Sequence, residues 1–469
     1  MGRRSGSFCA AARGPRREVV LGGSGNRTPP SPWDPPGGHP SDSYPVDTVG
    51  DEGRSSVAAV DDLRLPPDTT TQPDPNVPAS VRRMDEYMIV PQGFRAVVAN
   101  AGLKEDEDDF TALVSEVPAV SAAVFTRSRF AGPSVVLSRS AAPASSARGV
   151  VVLSRNANVA TGKEGLENAR EVRATVARAA GLDEDDLLIA STGVIGKQYP
   201  MPRVRQRLAE LRWPFPPADF DRVARAIMTT DTTPKVVRVR CGAASIVGVA
   251  KGVGMIEPNM ATLLTFFCTD AHIEPVDLDR VFRSVIARTF NAVSIDTDTS
   301  TSDTAAVFAN GLAGPVDLEE FEQALYTAAL DLVRMVARDG EGASKLIEVR
   351  VSGARDGEQA KRVGKAIVNS PLVKTAVHGA DPNWGRVAMA VGKCEDDEDI
   401  DQQRVRIGFG GIEVYPAQAT AETLVRLRHH LEGDDVVIEV DLGIGDGAFT
   451  VYGCDLTDGY IRINADYTT

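Results

Sequence analysis

Gly149-Val-Val-Val-Leu153 and Leu187-Leu-Ile-Ala190 carry no polar side chain, and Leu263-Leu-Thr-Phe-Phe267 carries one. Apolar runs this short, bounded by turn formers, are too brief for helices and read as buried strands. A chain holding several of them must cover their faces, which calls for a layered fold. The cover is legible as helical periodicity over residues 166–180, closed by Gly181, over 278–289, 358–368 and 421–430, and in a segment ending near Met228. Asp317 with Glu320 approaches a capping box, and Phe321, Leu325, Ala328, Leu332 and Met335 then recur on one helical face. Further strands are predicted at 120–125, 135–137, 346–351, 436–440 and 448–452, and 378–386 reads as a loop. The alternation predicts an α/β fold of mixed α+β type, with βαβ-like passages and no internal repeat.

Residues 1–83 break with this texture. Thr28-Pro-Pro-Ser-Pro-Trp-Asp-Pro-Pro-Gly-Gly38 is typical, and a segment so poor in periodic apolar residues cannot offset its ordering entropy. Two readings stand side by side: a disordered extension, or a gene-model extension ahead of a product starting at Met84 or Met88. A formal net charge of -14 argues against nucleic acid and against an anionic membrane surface as partners. Five scattered cysteines beside five histidines indicate a reducing cytoplasm rather than a disulfide framework or a zinc site. No stretch approaches the length of a membrane span.

Two apparent phosphate loops fail on their spacing. Thr192-Gly-Val-Ile-Gly-Lys197 lacks the four-residue gap and the hydroxyl after lysine, and Gly252-Val-Gly254 has Glu257 where a third glycine belongs. His429 and His430 are adjacent on a helix, hence on different faces, and read as solvated. No cofactor and no metal are expected. Chemistry is expected instead around Lys251-Gly-Val-Gly-Met-Ile-Glu-Pro-Asn-Met-Ala-Thr262. A threonine hydroxyl is unreactive without an adjacent base, and scission before Thr262 would supply one, its own α-amine, with a reference pKa of about 7.7–8.0. Thr192-Gly193 at a strand end could form an oxyanion hole, and Lys251 and Glu341 in glycine-rich loops could fix a carboxylate and an ammonium. Taken singly, each has a plainer explanation as a strand start, a turn or a surface charge.

Together the motifs resemble the ornithine acetyltransferase (glutamate N-acetyltransferase) family. Ser191-Thr-Gly-Val-Ile-Gly196, Ala226-Ile-Met-Thr-Thr-Asp-Thr232, the stretch from Ala250 to Thr262, Asp339-Gly-Glu-Gly-Ala343, Asn383-Trp-Gly-Arg386 and Arg462-Ile-Asn-Ala-Asp-Tyr467 carry it in order, between about 93 and 469. The resemblance implies self-cleavage between Ala261 and Thr262, giving fragments 84–261 and 262–469 that stay associated as an α2β2 heterotetramer. It implies Thr262 as the acyl-accepting nucleophile, Thr192 and Gly193 as oxyanion stabilisers, and Thr229, Lys251, Thr262, Glu341, Asn464 and Thr469 as substrate-binding residues. The implied reaction is ping-pong transfer of acetyl from N-acetyl-L-ornithine to L-glutamate. Val253, Leu263, Ser344, Ala380 and Pro382 depart from the family pattern, and none is the nucleophile. Competing readings are a related self-processing amidase or β-aminopeptidase, and an uncleaved amino-acid-binding protein.

Overall fold

The computed structural model describes residues 89–257, 263–417 and 420–466, all within the compact unit Pro73–Thr469. The extension 1–83, and Ala261, Thr262 and Thr469, lie outside the described residues. In chain order, β1 (Phe94–Ala99), β2 (Phe110–Ser115) and β3 (Val120–Phe125) precede α1 (Pro133–Ala141). Next come β4 (Gly149–Leu153), α2 (Gly162–Ala179), β5 (Leu187–Ser191), α3 (Met201–Leu208) and α4 (Phe220–Ala226). The middle holds β6 (Lys235–Cys241), β7 (Ala244–Lys251), β8 (Leu264–His272), α5 (Pro275–Arg288), β9 (Thr304–Pro315) and α6 (Leu318–Arg338). After these run β10 (Leu346–Ala354), α7 (Gly357–Val368), α8 (Pro371–His378), α9 (Trp384–Gly392), β11 (Arg406–Phe409) and β12 (Ile412–Tyr415). The chain closes with α10 (Ala421–Leu431), β13 (Asp435–Asp441), β14 (Gly447–Cys454) and α11 (Asp458–Asp466).

The apolar runs are central strands, and their two-residue period sorts side chains into separate cores. On β4, Val150 and Val152 point into a core shared with the other sheet, while Val151 and Leu153 pack under α2 and α3. On β8, Leu264, Phe266 and Cys268 face that shared core, whereas Phe267 and Ala271 face α5 and α6. The result is four layers: α2 and α3, the sheet β1-β2-β4-β5, the sheet β3-β9-β8-β7-β6, then α5 and α6. A third sheet, β12-β11-β13-β10-β14, is covered by α7, α8, α9 and α10 around its own core. The mixed α+β expectation holds, with the parallel pairs β4/β5, β8/β9 and β10/β13 supplying the βαβ-like passages.

Four local expectations need correction. Residues 135–137 are helical, in α1: Pro133 at the first turn presets helical φ, and Val135, Leu137, Ser138 and Ala141 are buried at helical spacing. The segment 378–386 is not one loop, because α8 runs to His378 and Trp384 opens α9, where its ring stacks on Tyr415. Met335 leaves the buried face of α6, which continues through Val336 instead. His430 is not simply solvated, since its Nε2 accepts from the Val437 amide at 3.0 Å. The Asp317 cap forms as expected, accepting from the amides of Glu319 and Glu320.

Candidate functional site

The strand ends of the two facing sheets deliver the candidate residues. β5 ends at Ser191, and the next amide, of Thr192, donates to the Leu153 carbonyl at 3.0 Å, which buries Thr192 against β4. Gly193 follows at φ +124°, and a Cβ there would lie 2.2 Å from the Arg155 carbonyl carbon. Only glycine fits such an approach. Among the described residues nothing accepts from the Gly193 amide, which lies just past the end of β5.

Arg155 ties this corner to the next. Its guanidinium donates to the Thr229 carbonyl, in the loop that follows α4. Thr229 Oγ1 accepts from Lys251 Nζ at 3.2 Å. Lys251 is the last residue of β7, rather than part of a loop, and is 8% exposed. Burial pushes its ammonium below the ordinary lysine range, opposed by the nearby Asp231, Asp303 and Glu341.

Asp231 organises the floor. Its carboxylate accepts from the amides of Thr229 (3.0 Å) and Gly252 (2.8 Å) and from Lys235 Nζ (2.8 Å). Burial by itself would raise its pKa, but the Lys251 and Lys235 ammoniums and these donors hold it at about 2. Asp339 takes a second bond from Lys235 at 2.6 Å. Two residues on, Glu341 accepts from Thr230 Oγ1 and from Asn464 Nδ2, both at 2.9 Å. Its carboxyl carbon lies 2.5 Å from where a Cβ on Gly254 would stand, so a side chain there would displace the Glu341 carboxylate. Glu341 also lines a cavity of about 190 Å³ with Asp296, Lys374, Cys454 and Tyr460.

One chain of contacts thus links Gly193, Arg155, Thr229, Lys251 and Asp231, and Thr230 joins it to Glu341 and Asn464. These candidates come together; Ala261, Thr262 and Thr469 lie outside the described residues. Leu263, bonded in sequence to Thr262, is buried and its carbonyl accepts from the Thr304 amide at 3.0 Å. The sequence reading missed Arg155, Asp231, Lys235, Asp296 and Asp303. Asp231 sat in a quoted hydroxyl-rich motif, and a carboxylate four residues before a lysine was the available signal. Asp303 is 1% exposed, and burial pushes its carboxyl well above the usual range despite the neighbouring Ser300 and Thr126 hydroxyls and the charge of Lys251.

With this geometry in place, similarity to known proteins is extensive. The ArgJ family matches residues 95–469. Glutamate N-acetyltransferase Oat2 of Streptomyces clavuligerus is 68% identical over 385 residues, covering 81% of this chain and 98% of that protein. The arginine biosynthesis bifunctional protein ArgJ of Rhodococcoides fascians is 56% identical over 390 residues, 82% of this chain and 96% of that one. A crystal structure of the arginine biosynthesis bifunctional protein ArgJ of Bacillus halodurans is 41% identical, covers 42% of this chain and 96% of its own, and superposes with a TM-score of 0.40.

Proposed function

The chain belongs to the ArgJ family, and from that membership we propose that it transfers acetyl from N-acetyl-L-ornithine to L-glutamate through Thr262. The observation that carries this reading is the joining of Gly193, Thr229, Lys251, Glu341 and Asn464 through one set of contacts.

The first step makes the enzyme. The Thr262 hydroxyl oxygen attacks the Ala261 carbonyl carbon, the amide C–N bond breaks, and the hydroxyl proton passes to the departing nitrogen. One water then hydrolyses the resulting ester to an Ala261 carboxylate and a free Thr262 hydroxyl. Thr262 now carries an α-amine able to act as its base, and the chain becomes fragments 84–261 and 262–469. In turnover the hydroxyl attacks the acetyl carbonyl of N-acetylornithine, and the proton moves through the amine to the leaving ornithine nitrogen. Glutamate's amine then attacks the acetyl-threonine ester and restores the hydroxyl. The Gly193 amide and the Thr192 hydroxyl are assigned to stabilise the developing oxyanion in each tetrahedral stage.

Lys251 offers its ammonium to the α-carboxylate that both amino acids share. Glu341, at the cavity, offers a carboxylate to the cationic ornithine side chain. Thr469 is assigned to the same substrate set. One amide replaces another, so neither nucleotide nor metal is required. The fragments form an α2β2 assembly in the cytoplasm, a location supported by four free cysteines among the described residues. No described helix is long and apolar enough to cross a membrane. Product analysis with both substrates tests the reaction: N-acetylglutamate should form in step with ornithine. Acetate released at the same rate with or without glutamate would assign the protein to hydrolysis instead.

A further inference from the structure

The hydroxyl-and-carboxylate run Asp296-Thr-Asp-Thr-Ser-Thr-Ser-Asp-Thr304 has no part in the acyl-transfer steps above. Its hydrogen bonds go to the two sides of the cleavage segment. Before that segment, Asp296 Oδ2 accepts from the Met255 amide at 2.6 Å and Oδ1 from the Ile256 amide at 2.8 Å. The Ile295 amide donates to the Ile256 carbonyl at 2.8 Å, Ile256 pairs with Thr299 as an antiparallel bridge, and Thr299 Oγ1 donates to the Glu257 carbonyl at 3.1 Å. The Glu257 side chain is held in turn by Ser294, by Asn369 at 2.9 Å and by Lys365 at 3.5 Å. After the segment, the Thr304 amide holds the Leu263 carbonyl, and β8 and β9 continue in parallel register from Leu264 and Thr304.

The run is itself anchored. Thr126, just past β3, donates its amide to the Asp303 carbonyl at 3.0 Å and its hydroxyl to the Ser300 carbonyl at 2.7 Å, and the Gly132 amide bonds the Thr301 carbonyl. Met255 sits at φ +57°, a region that costs a non-glycine residue energy and persists only where the surroundings impose it. Asp296 is that imposition, because its carboxylate binds the Met255 amide and the next one.

We propose that residues 296–304 form a clamp that fixes both flanks of the Ala261–Thr262 bond for self-cleavage, with Asp296 as the main positioning residue. The inference rests on the self-cleavage reading above and adds the device that makes scission fast. Five residues separate Glu257 from Leu263. The bonds hold Glu257 and Leu263, the nearest described residues on either side of the scissile bond, and fixed ends raise the effective concentration of groups that must react between them.

Scission is followed on denaturing gels after synthesis of the full chain, beside the thermal unfolding midpoint of each precursor. Asp296→Ala removes both acceptors and should slow scission by about a hundredfold, while Asp296→Asn, which keeps one carbonyl oxygen, should fall between it and wild type. Thr299→Val removes only the bond to the Glu257 carbonyl and should slow scission by a smaller factor without moving the midpoint. Wild-type scission rates in folded Asp296→Ala overturn the clamp. Should Asp296→Ala fail to fold, an unslowed Thr299→Val overturns it by the same reasoning. A wild-type chain that stays full-length refutes self-cleavage itself, an outcome distinct from a cleaving wild type whose variants cleave equally fast.

Discussion

Lys235 and Lys251 stand at neighbouring ends of one β-hairpin, β6 and β7, where Lys235 pairs with Ala250. Both are buried, yet their surroundings differ. Lys235 is saturated, with Asp231 at 2.8 Å and Asp339 at 2.6 Å on either side of its ammonium. Lys251, among the described residues, has one hydrogen-bond partner, the neutral Thr229 hydroxyl at 3.2 Å. Removing a buried ammonium from between two carboxylates leaves their charge uncompensated, whereas an ammonium with a spare direction can take an anion from outside. On the proposed function, Lys235 is the structural charge of the pair and Lys251 the one that meets the substrate carboxylate.

The comparison breaks most visibly at Lys235. Lys235→Met leaves Asp231 and Asp339 without their shared counter-ion in the interior, and urea unfolding should show a loss of about 3–5 kcal/mol. Lys251→Met should destabilise less, because its ammonium makes no ion pair among the described residues although it helps hold Asp231 ionised, and should lower kcat/KM about a hundredfold, or about 2.7 kcal/mol of transition-state binding. Equal destabilisation by the two substitutions would erase the distinction.

The pH dependence of stability sharpens it. Asp231 at about 2, against 3.8 unpaired, contributes about 2 kcal/mol that is present above pH 3.8 and lost as pH falls toward 2. Lys251 works in the other sense. Its pKa is lowered by burial, so the unfolded chain binds more protons just below the ordinary lysine range, and stability from this residue rises with pH there. Lys251→Met should remove that alkaline rise and shrink the acid limb, which Lys235 and the backbone donors then sustain alone, both read from unfolding midpoints across pH. The smallest expected effect is at Glu341. Glu341→Gln keeps an acceptor for Thr230 and Asn464 but removes the charge, so KM for N-acetylornithine should rise about tenfold, about 1.4 kcal/mol, with KM for glutamate little changed. Equal rises for both substrates would take Glu341 away from the ornithine side.

Much of the fold was open to reading because it rests on local pattern. The strands β4 and β5 were legible as apolar runs, and the Asp317 cap as a spacing. Residues 135–137 misled because Val135-Val136 has strand propensity, while Pro133 and burial against two layers decided for helix. The site divided along the same line. Thr192, Gly193, Lys251 and Glu341 stood in glycine-rich motifs, where backbone demands leave a trace in sequence. Asp231, Asp303 and Arg155 did not, because their roles come from burial and from partners brought close by the meeting of two sheets. Separate stretches of sequence cannot show which charge is saturated; the contrast between Lys235 and Lys251 exists only once Asp339 arrives from the end of α6.

In the proposed cycle Thr262 becomes the acyl carrier. Purified protein incubated with N-acetyl-L-ornithine, quenched in acid and digested, is to be measured by mass spectrometry of the peptide that begins at Thr262. That peptide should start with a free amine at Thr262 before substrate, and afterwards carry the mass of one acetyl group as an ester that glutamate removes. A cleaved enzyme that turns over while its Thr262 peptide never gains the acetyl group would rule out transfer through Thr262.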